Sequence, residues 1–147
     1  MVDVKFVKLR ENAKEPYYAS PEAAAADLCA AIDKPITLLP GHRAMIGTGI
    51  SVEVLTDEPV VLLLFVRSGL ACKRGITLSN GVGVIDKDYR GEIIVSLFNS
   101  SDEAYTIDPG ERIAQLMVSG VVKANYVESQ SLSDTERGAG GFGHTGK

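Results

Sequence analysis

Cysteine and histidine are scarce in this chain. Only Cys29, Cys72, His42 and His144 are present, and the two cysteines lie 43 positions apart. No Cys-x-x-Cys pair or Cys/His cluster exists, which argues against a zinc site. Two isolated thiols read instead as free cysteines in a reducing compartment. Long apolar runs are also missing. The longest, Val60–Val66, has seven residues, against the roughly 20 that a membrane-spanning helix needs. The N-terminus alternates polar and apolar residues, with no basic segment leading into an apolar stretch, so no signal peptide is expected. These absences lead to the expectation of a cytoplasmic protein with no membrane partner. Positive charge is not in excess either: 15 Lys and Arg stand against 19 Asp and Glu, for a net charge of −4. That balance argues against a nucleic-acid partner, whose phosphates demand a basic face. A local basic patch is compatible with it and would suit a small polyanion.

What the chain does have is a dense series of short strand signals. Its 147 residues fit one domain, and a domain of this size buries roughly 68–70% of its unfolded surface. Val2, Val4 and Phe6 alternate with Asp3 and Lys5, the period of a strand. Further strand candidates are 36–39, 43–48, 50–55, 60–66, 76–79, 92–98, 104–107, 112–118 and 121–127. Turn signals such as Pro40-Gly41, Asp57-Glu58-Pro59, Asp108-Pro109-Gly110 and Ser119-Gly120 separate them. Many short strands between frequent turns indicate an all-β barrel or sandwich. Helix is expected over 69–74. Ser20-Pro21-Glu22 resembles a helix start, with serine at N-cap and proline at N1. The alanines 23–26 fit either one helical turn or an approach to a strand over 27–31. No long amphipathic helix exists, which argues against a parallel α/β fold. From Ser129 the chain becomes polar and then glycine-rich, with five glycines in its last 11 residues. The expected organisation is a barrel over 1–128 and a glycine-rich tail over 129–147. That tail is either disordered or a lid that orders over a ligand with Arg137, Phe142 and Thr145.

The run from Asn80 to Glu92 concentrates the chemistry. Asp86, Asp88 and Tyr89 sit among Gly81, Gly83 and Gly91. Gly83 and Gly91 are expected to free the backbone on either side of these side chains. The arrangement suits a tight loop that holds a small molecule against main chain. A carboxylate such as Asp86 can take a proton from water and generate a nucleophile, or it can serve the turn itself. Tyr89 offers an apolar face for a sugar or base ring, or core packing. Arg67-Ser68-Gly69 follows the apolar strand and enters the short helix, where backbone N–H groups attract anions, although Ser68 could equally cap that helix. Gln115 falls among apolar neighbours and needs partners if buried. Otherwise it is an edge-strand amide facing water. Asp27 fits either an orienter of metal-bound water or a capping residue. The tail segment Gly141-x-x-x-x-Gly146-Lys147 is a near match to a phosphate-binding loop, but no serine or threonine follows the lysine and no strand precedes it.

These islands, in this order, resemble the five motifs of the trimeric deoxyuridine triphosphatase (dUTP diphosphatase) family. Ala26-Asp27-Leu28 resembles the first and Arg67-Ser68-Gly69-Leu70-Ala71 the second. Asn80–Glu92 resembles the third, Gly110–Leu116 the fourth and Arg137–Gly146 the fifth. The resemblance implies a jelly-roll-like β-barrel with one short helix, assembled as a homotrimer. It implies Mg²⁺-dependent hydrolysis of dUTP to dUMP and pyrophosphate, which keeps uracil out of DNA and supplies dUMP for thymidylate synthesis. Asp86 would activate water for attack on the α-phosphorus. Asn80 and main chain near Val84 would read uracil, and Tyr89 would pack under deoxyribose and exclude a 2′-hydroxyl. Arg67, Ser68, Gly69 and Gln115 would hold the phosphates, and Asp27 would fix magnesium-bound water. Phe142 with Gly143 would close over the base, while Arg137, His144 and Thr145 approach the phosphates from a neighbouring subunit. Two positions depart from the family pattern. Ala25 and Ala26 stand where glycine and an aromatic residue are usual, and His144 stands where serine is usual. Two alternatives share the fold, a dCTP deaminase-like enzyme and a module that senses dUTP without turning it over. Tyr89-Arg90-Gly91-Glu92 and the phenylalanine in the tail argue against the first. Asp86, Arg137 and Phe142 together argue against the second.

Overall fold

The computed structural model describes residues 2–141. Phe142, Gly143, His144 and Thr145, which the resemblance assigns to substrate binding, lie outside the described residues. Among the described residues eleven strands and one helix form in the order β1 (Asp3–Lys8), β2 (Ala26–Cys29), β3 (Ile36–Leu38), β4 (Arg43–Gly47), β5 (Ile50–Leu55), β6 (Val60–Val66), α1 (Ser68–Arg74), β7 (Ile76–Leu78), β8 (Gly83–Asp86), β9 (Ile94–Asn99), β10 (Tyr105–Ile107) and β11 (Arg112–Gly120). All strand pairs are antiparallel. The largest sheet has the order β2-β11-β6-β8, and a second has the order β4-β9-β7. The pairs β1-β5 and β10-β3 complete a jelly-roll-like all-β fold. Among the described residues no helix is long and apolar enough to cross a membrane.

The core is aliphatic. Leu28, Ile46, Ile50, Leu62, Ile76, Ile93, Leu97, Ile107 and Ile113 are all fully buried, and among the described residues no phenylalanine or tyrosine joins them. Each such side chain contributes about 1.5–3 kcal/mol by leaving water. Branched residues on opposing strands fill this space because period-two alternation sends every second side chain inward. β5 illustrates the pattern, with Ile50, Val52 and Val54 buried.

One open alternative is decided and one expected element is absent. The alanines 23–26 do not make a helix but lead into a strand. Ala23 N–H closes a turn onto Ser20 C=O (3.1 Å), and Ala26 already belongs to β2. Four alanines cannot repay the cost of nucleating a helix, whereas the strand gains Tyr17 and β11 as partners. The expected strand over 121–127 does not form. β11 pairs with β6 as far as Gly120 opposite Val60, where β6 begins. Past Val121, whose N–H reaches Pro59 C=O at 3.0 Å, no backbone is left to pair with. Val122 and Tyr126 are consequently 97% and 94% exposed. Conversely, β8 lies inside the stretch expected to be loop. Its Gly83 packs where a Cβ would stand 2.8 Å from that of Leu64 in β6.

Candidate active site

The site residues fall into two groups at opposite ends of β6. The first gathers around Asp27, which is 1% exposed. Its Oδ2 accepts a hydrogen bond from Arg112 Nη1 at 3.0 Å, and its Oδ1 accepts one from Gln115 Nε2 at 3.2 Å. Arg67 Nε stands 3.4 Å from Oδ1 and has no hydrogen bond among the described residues. A buried carboxylate is stable only with such partners. With one carboxylate against two guanidiniums, the group carries a net charge of +1. The Asp27 hydrogen bond is the chief cause that raises the pKa of Arg112, so that guanidinium keeps its charge.

A fault in β11 makes this cluster possible. Residues three apart on a regular strand point to opposite faces. The register shifts between Arg112 and Ala114, so that Arg112 lies opposite Cys29 and Ala114 opposite Leu28. This bulge puts Arg112 and Gln115 on the same carboxylate, in keeping with the tendency of bulges to re-aim side chains beside functional sites. It also explains why the neighbours Ile113 and Ala114 are both fully buried. Gln115 is therefore not an edge amide, since β11 lies between β2 and β6. Arg112 is the residue that motif reasoning left without a role. Its signal was the pair Ile113-Ala114, which breaks the alternation.

Ser68 follows Arg67 as the first residue of α1. Arg67 occupies the N-cap position with no side-chain capping bond, so the Ser68 hydroxyl is not the cap. Ser68 and Gly69 are exposed beside Arg67.

The second group surrounds Asp86, the exposed last residue of β8. Asp86 is paired with Val61, at the far end of β6 from Arg67. Six residues of strand separate those positions, roughly 20 Å at about 3.3 Å per residue. Asp86 borders a hollow of about 330 Å³ that Met45, Val84, Tyr89 and Ile94 line with apolar surface. It also borders a larger cavity of about 630 Å³, where Lys87, Arg90 and Lys123 stand. Both volumes fall in the range of small-molecule sites. The following loop is moored to β5 and its approach. Ser51 Oγ donates to Arg90 C=O at 2.7 Å, Thr48 Oγ1 to Ile93 C=O at 2.7 Å, and Lys87 Nζ to Thr56 C=O. Asn80 lies exposed in the turn before β8, where its C=O accepts from Val82 N–H at 2.8 Å.

Gly83 and Gly91 do not serve through backbone freedom. Neither has a positive φ, unlike Gly81 at 72°. Both provide space, Gly83 against Leu64 and Gly91 against Tyr89. Arg137 joins neither group. Its Nε donates to Gly140 C=O at 2.8 Å within a local turn.

The dUTPase family model matches residues 11–146. The chain belongs to the dUTPase family. It is 52% identical over 142 residues to the deoxyuridine 5'-triphosphate nucleotidohydrolase of Chlamydia pneumoniae, covering 96% of this chain and 97% of that one. It is 44% identical to the corresponding protein of Thiobacillus denitrificans, covering 99% of each. Among solved structures, the dUTPase of Staphylococcus bacteriophage 80alpha with dUPNHPP superposes with a TM-score of 0.83 at 25% identity, covering 99% of both chains. A dUTPase variant of phage phi11 of S. aureus, for which coordination of a structural Mg(II) ion is described, gives a TM-score of 0.79 at 22% identity, covering 90% of this chain and 99% of that one. At that identity the likeness speaks for the fold.

Proposed function

We infer that this dUTPase-family enzyme hydrolyses dUTP to dUMP and pyrophosphate, and that its active site joins two protomers or more. The observation that carries the second part is the separation of the site into halves. The positive group around Asp27 is suited to a triphosphate, and the hollow at Asp86 is suited to a nucleoside. One protomer holds them at opposite ends of a strand, so a second copy must bring its own half alongside. A homotrimer, the assembly implied by the motifs, supplies that closure by a threefold repeat.

The chemistry follows from the two halves. Cleaving a phosphoanhydride requires positioning and charge neutralisation more than covalent participation. Arg67, Ser68 and Gln115 would hold phosphate oxygens, with Asp27 and Arg112 fixing the two longer side chains in place. Asp86 would take the proton from the water that attacks the α-phosphorus. Val84 and Tyr89 would pack on the nucleoside, Tyr89 beneath the deoxyribose, with Asn80 and nearby main chain at the uracil edge. Arg137 and the residues after it would approach from a neighbouring protomer.

The donor set accords with Mg²⁺ held chiefly by the substrate. No group of three His, Cys, Asp or Glu residues capable of forming a protein cage exists among the described residues, and Mg²⁺ ordinarily keeps several waters and binds substrate phosphates. Asp27 retains lone pairs beyond the two hydrogen bonds it accepts and would hold the ion through water. When bound, the ion supplies charge neutralisation on the triphosphate. A cytoplasmic location fits the two unpaired cysteines, one of them, Cys72, exposed.

Incubation with each nucleoside triphosphate and Mg²⁺, scoring pyrophosphate against phosphate, tests the activity. dUTP alone should be consumed efficiently, with pyrophosphate as product. Release of ammonia from dCTP would favour the deaminase alternative.

A further inference from the structure

We propose that Gly91 is a specificity-determining position for the sugar, acting through Tyr89. This rests on the reading of Tyr89 as the surface beneath the deoxyribose. The Tyr89 ring folds back over its own loop, and its hydroxyl donates to the C=O of Glu92 at 3.0 Å. That path runs directly across Gly91. A Cβ at position 91 would stand 2.3 Å from Tyr89 Oη, 2.5 Å from Cζ and 2.9 Å from Cε2. These three nearest atoms all belong to the far end of one side chain. The backbone at Gly91 does not itself demand glycine, since its φ is not positive. The absent side chain therefore serves the ring rather than the turn.

The anchor point of the ring is itself held fast. Glu92 Oε1 accepts from Gly49 N–H at 2.7 Å, and its Oε2 accepts from Arg10 Nη2 at 2.5 Å. Arg10 in turn donates through Nη1 to Ala31 C=O at 2.9 Å. Gly47 leaves room for this pair, because a Cβ there would meet Glu92 Oε1 at 2.4 Å. With both Glu92 carboxylate oxygens held, by Gly49 and by Arg10, strain from a side chain at position 91 is not readily relieved by movement of residue 92. The ring, 46% exposed, is the part free to yield. Once displaced, it withdraws contact from deoxyribose and opens the space where a 2′-hydroxyl is refused. Both effects lower the preference for dUTP over UTP.

The test is a double-substitution cycle on the full chain: the unaltered protein, Gly91→Ala, Tyr89→Ala and the two combined. The readouts are kcat/KM for dUTP and for UTP, together with the melting temperature. Gly91→Ala should reduce the dUTP:UTP ratio roughly tenfold, the scale of a lost packing contact in a specificity pocket. In the Tyr89→Ala background the same substitution should change the ratio by less than about twofold, because interacting residues are non-additive. Should Gly91→Ala fail to fold by itself, folding of the double variant would support the proposal and its failure would overturn it. An unchanged ratio in Gly91→Ala, with a changed one in Tyr89→Ala, refutes the role of Gly91 and leaves that of Tyr89 intact. An unchanged ratio in Tyr89→Ala removes the sugar-contact reading and this inference with it.

Discussion

Asp86 and Asp27 show how differently two aspartates can be placed in one small protein. Asp27 is enclosed by Arg112, Gln115 and Arg67, so it holds neighbours in place and stands apart from open solvent. Asp86 stands exposed between two cavities, where a carboxylate can meet water and substrate together. Asp86→Asn keeps the shape of the side chain and removes its basicity. Turnover of dUTP should fall by roughly 10²–10⁴-fold, the usual contribution of a general base, while a non-hydrolysable dUTP analogue binds nearly as before. Calorimetric titration beside a pyrophosphate assay separates the two, and parallel loss of both would make Asp86 structural. The motif order named Asp27, Asp86 and Tyr89 as candidates. It could not show that Asp27 pairs with an arginine 85 positions away, because contacts at that distance arise only from strand register.

Strands bounded by Pro, Gly and Asp turns could be read directly, since each boundary residue has a local reason to stop a ladder. β4, β5 and β6 start where their patterns suggest. The failures share one cause: a strand exists only if a partner does. The segment 121–127 has the right composition and runs out of β6. β8 has glycine at its start and acid at its end, yet forms because β6 offers a free edge. The turn before β11 holds a further feature that composition does not show. Tyr105 on β10 donates its hydroxyl to Glu111 Oε1, and Glu111 Oε2 accepts from Asp108 N–H at 3.0 Å. Burial, and then the Glu111 carboxylate, push the Tyr105 phenol up to about 12. A phenol whose folded pKa exceeds its unfolded value of about 10 favours the folded state below pH 10. That stabilisation is lost as pH rises from about 10 through about 12. Ultraviolet titration should show a tyrosinate step near pH 12, and Tyr105→Phe should abolish it.

Assembly decides whether the halves can meet. If each site joins residues from different protomers, two inactive variants should rescue one another. Asp86→Asn disables one half and Ser68→Ala the other. Mixed and allowed to exchange subunits, they should regain activity at about a quarter of the sites, as random assortment in a symmetric oligomer requires. Mixtures that stay as inactive as their components would mean that every site is built within one chain, against the roughly 20 Å that β6 imposes. The expectation of three subunits had no local sign in the strands. It came only from the motif order as a whole.

The irregularity at Ile113 makes β11 depend on its kink more than on its length. Straightening the strand with every residue kept would slip its far end by one place and turn it over. The guanidinium and the amide would then face opposite ways, and Asp27 would keep only one of them. Removing Ile113 itself would instead leave Arg112 and Gln115 two places apart on a plain pleat, on one face again, so a homologue one residue shorter there can still hold both on Asp27.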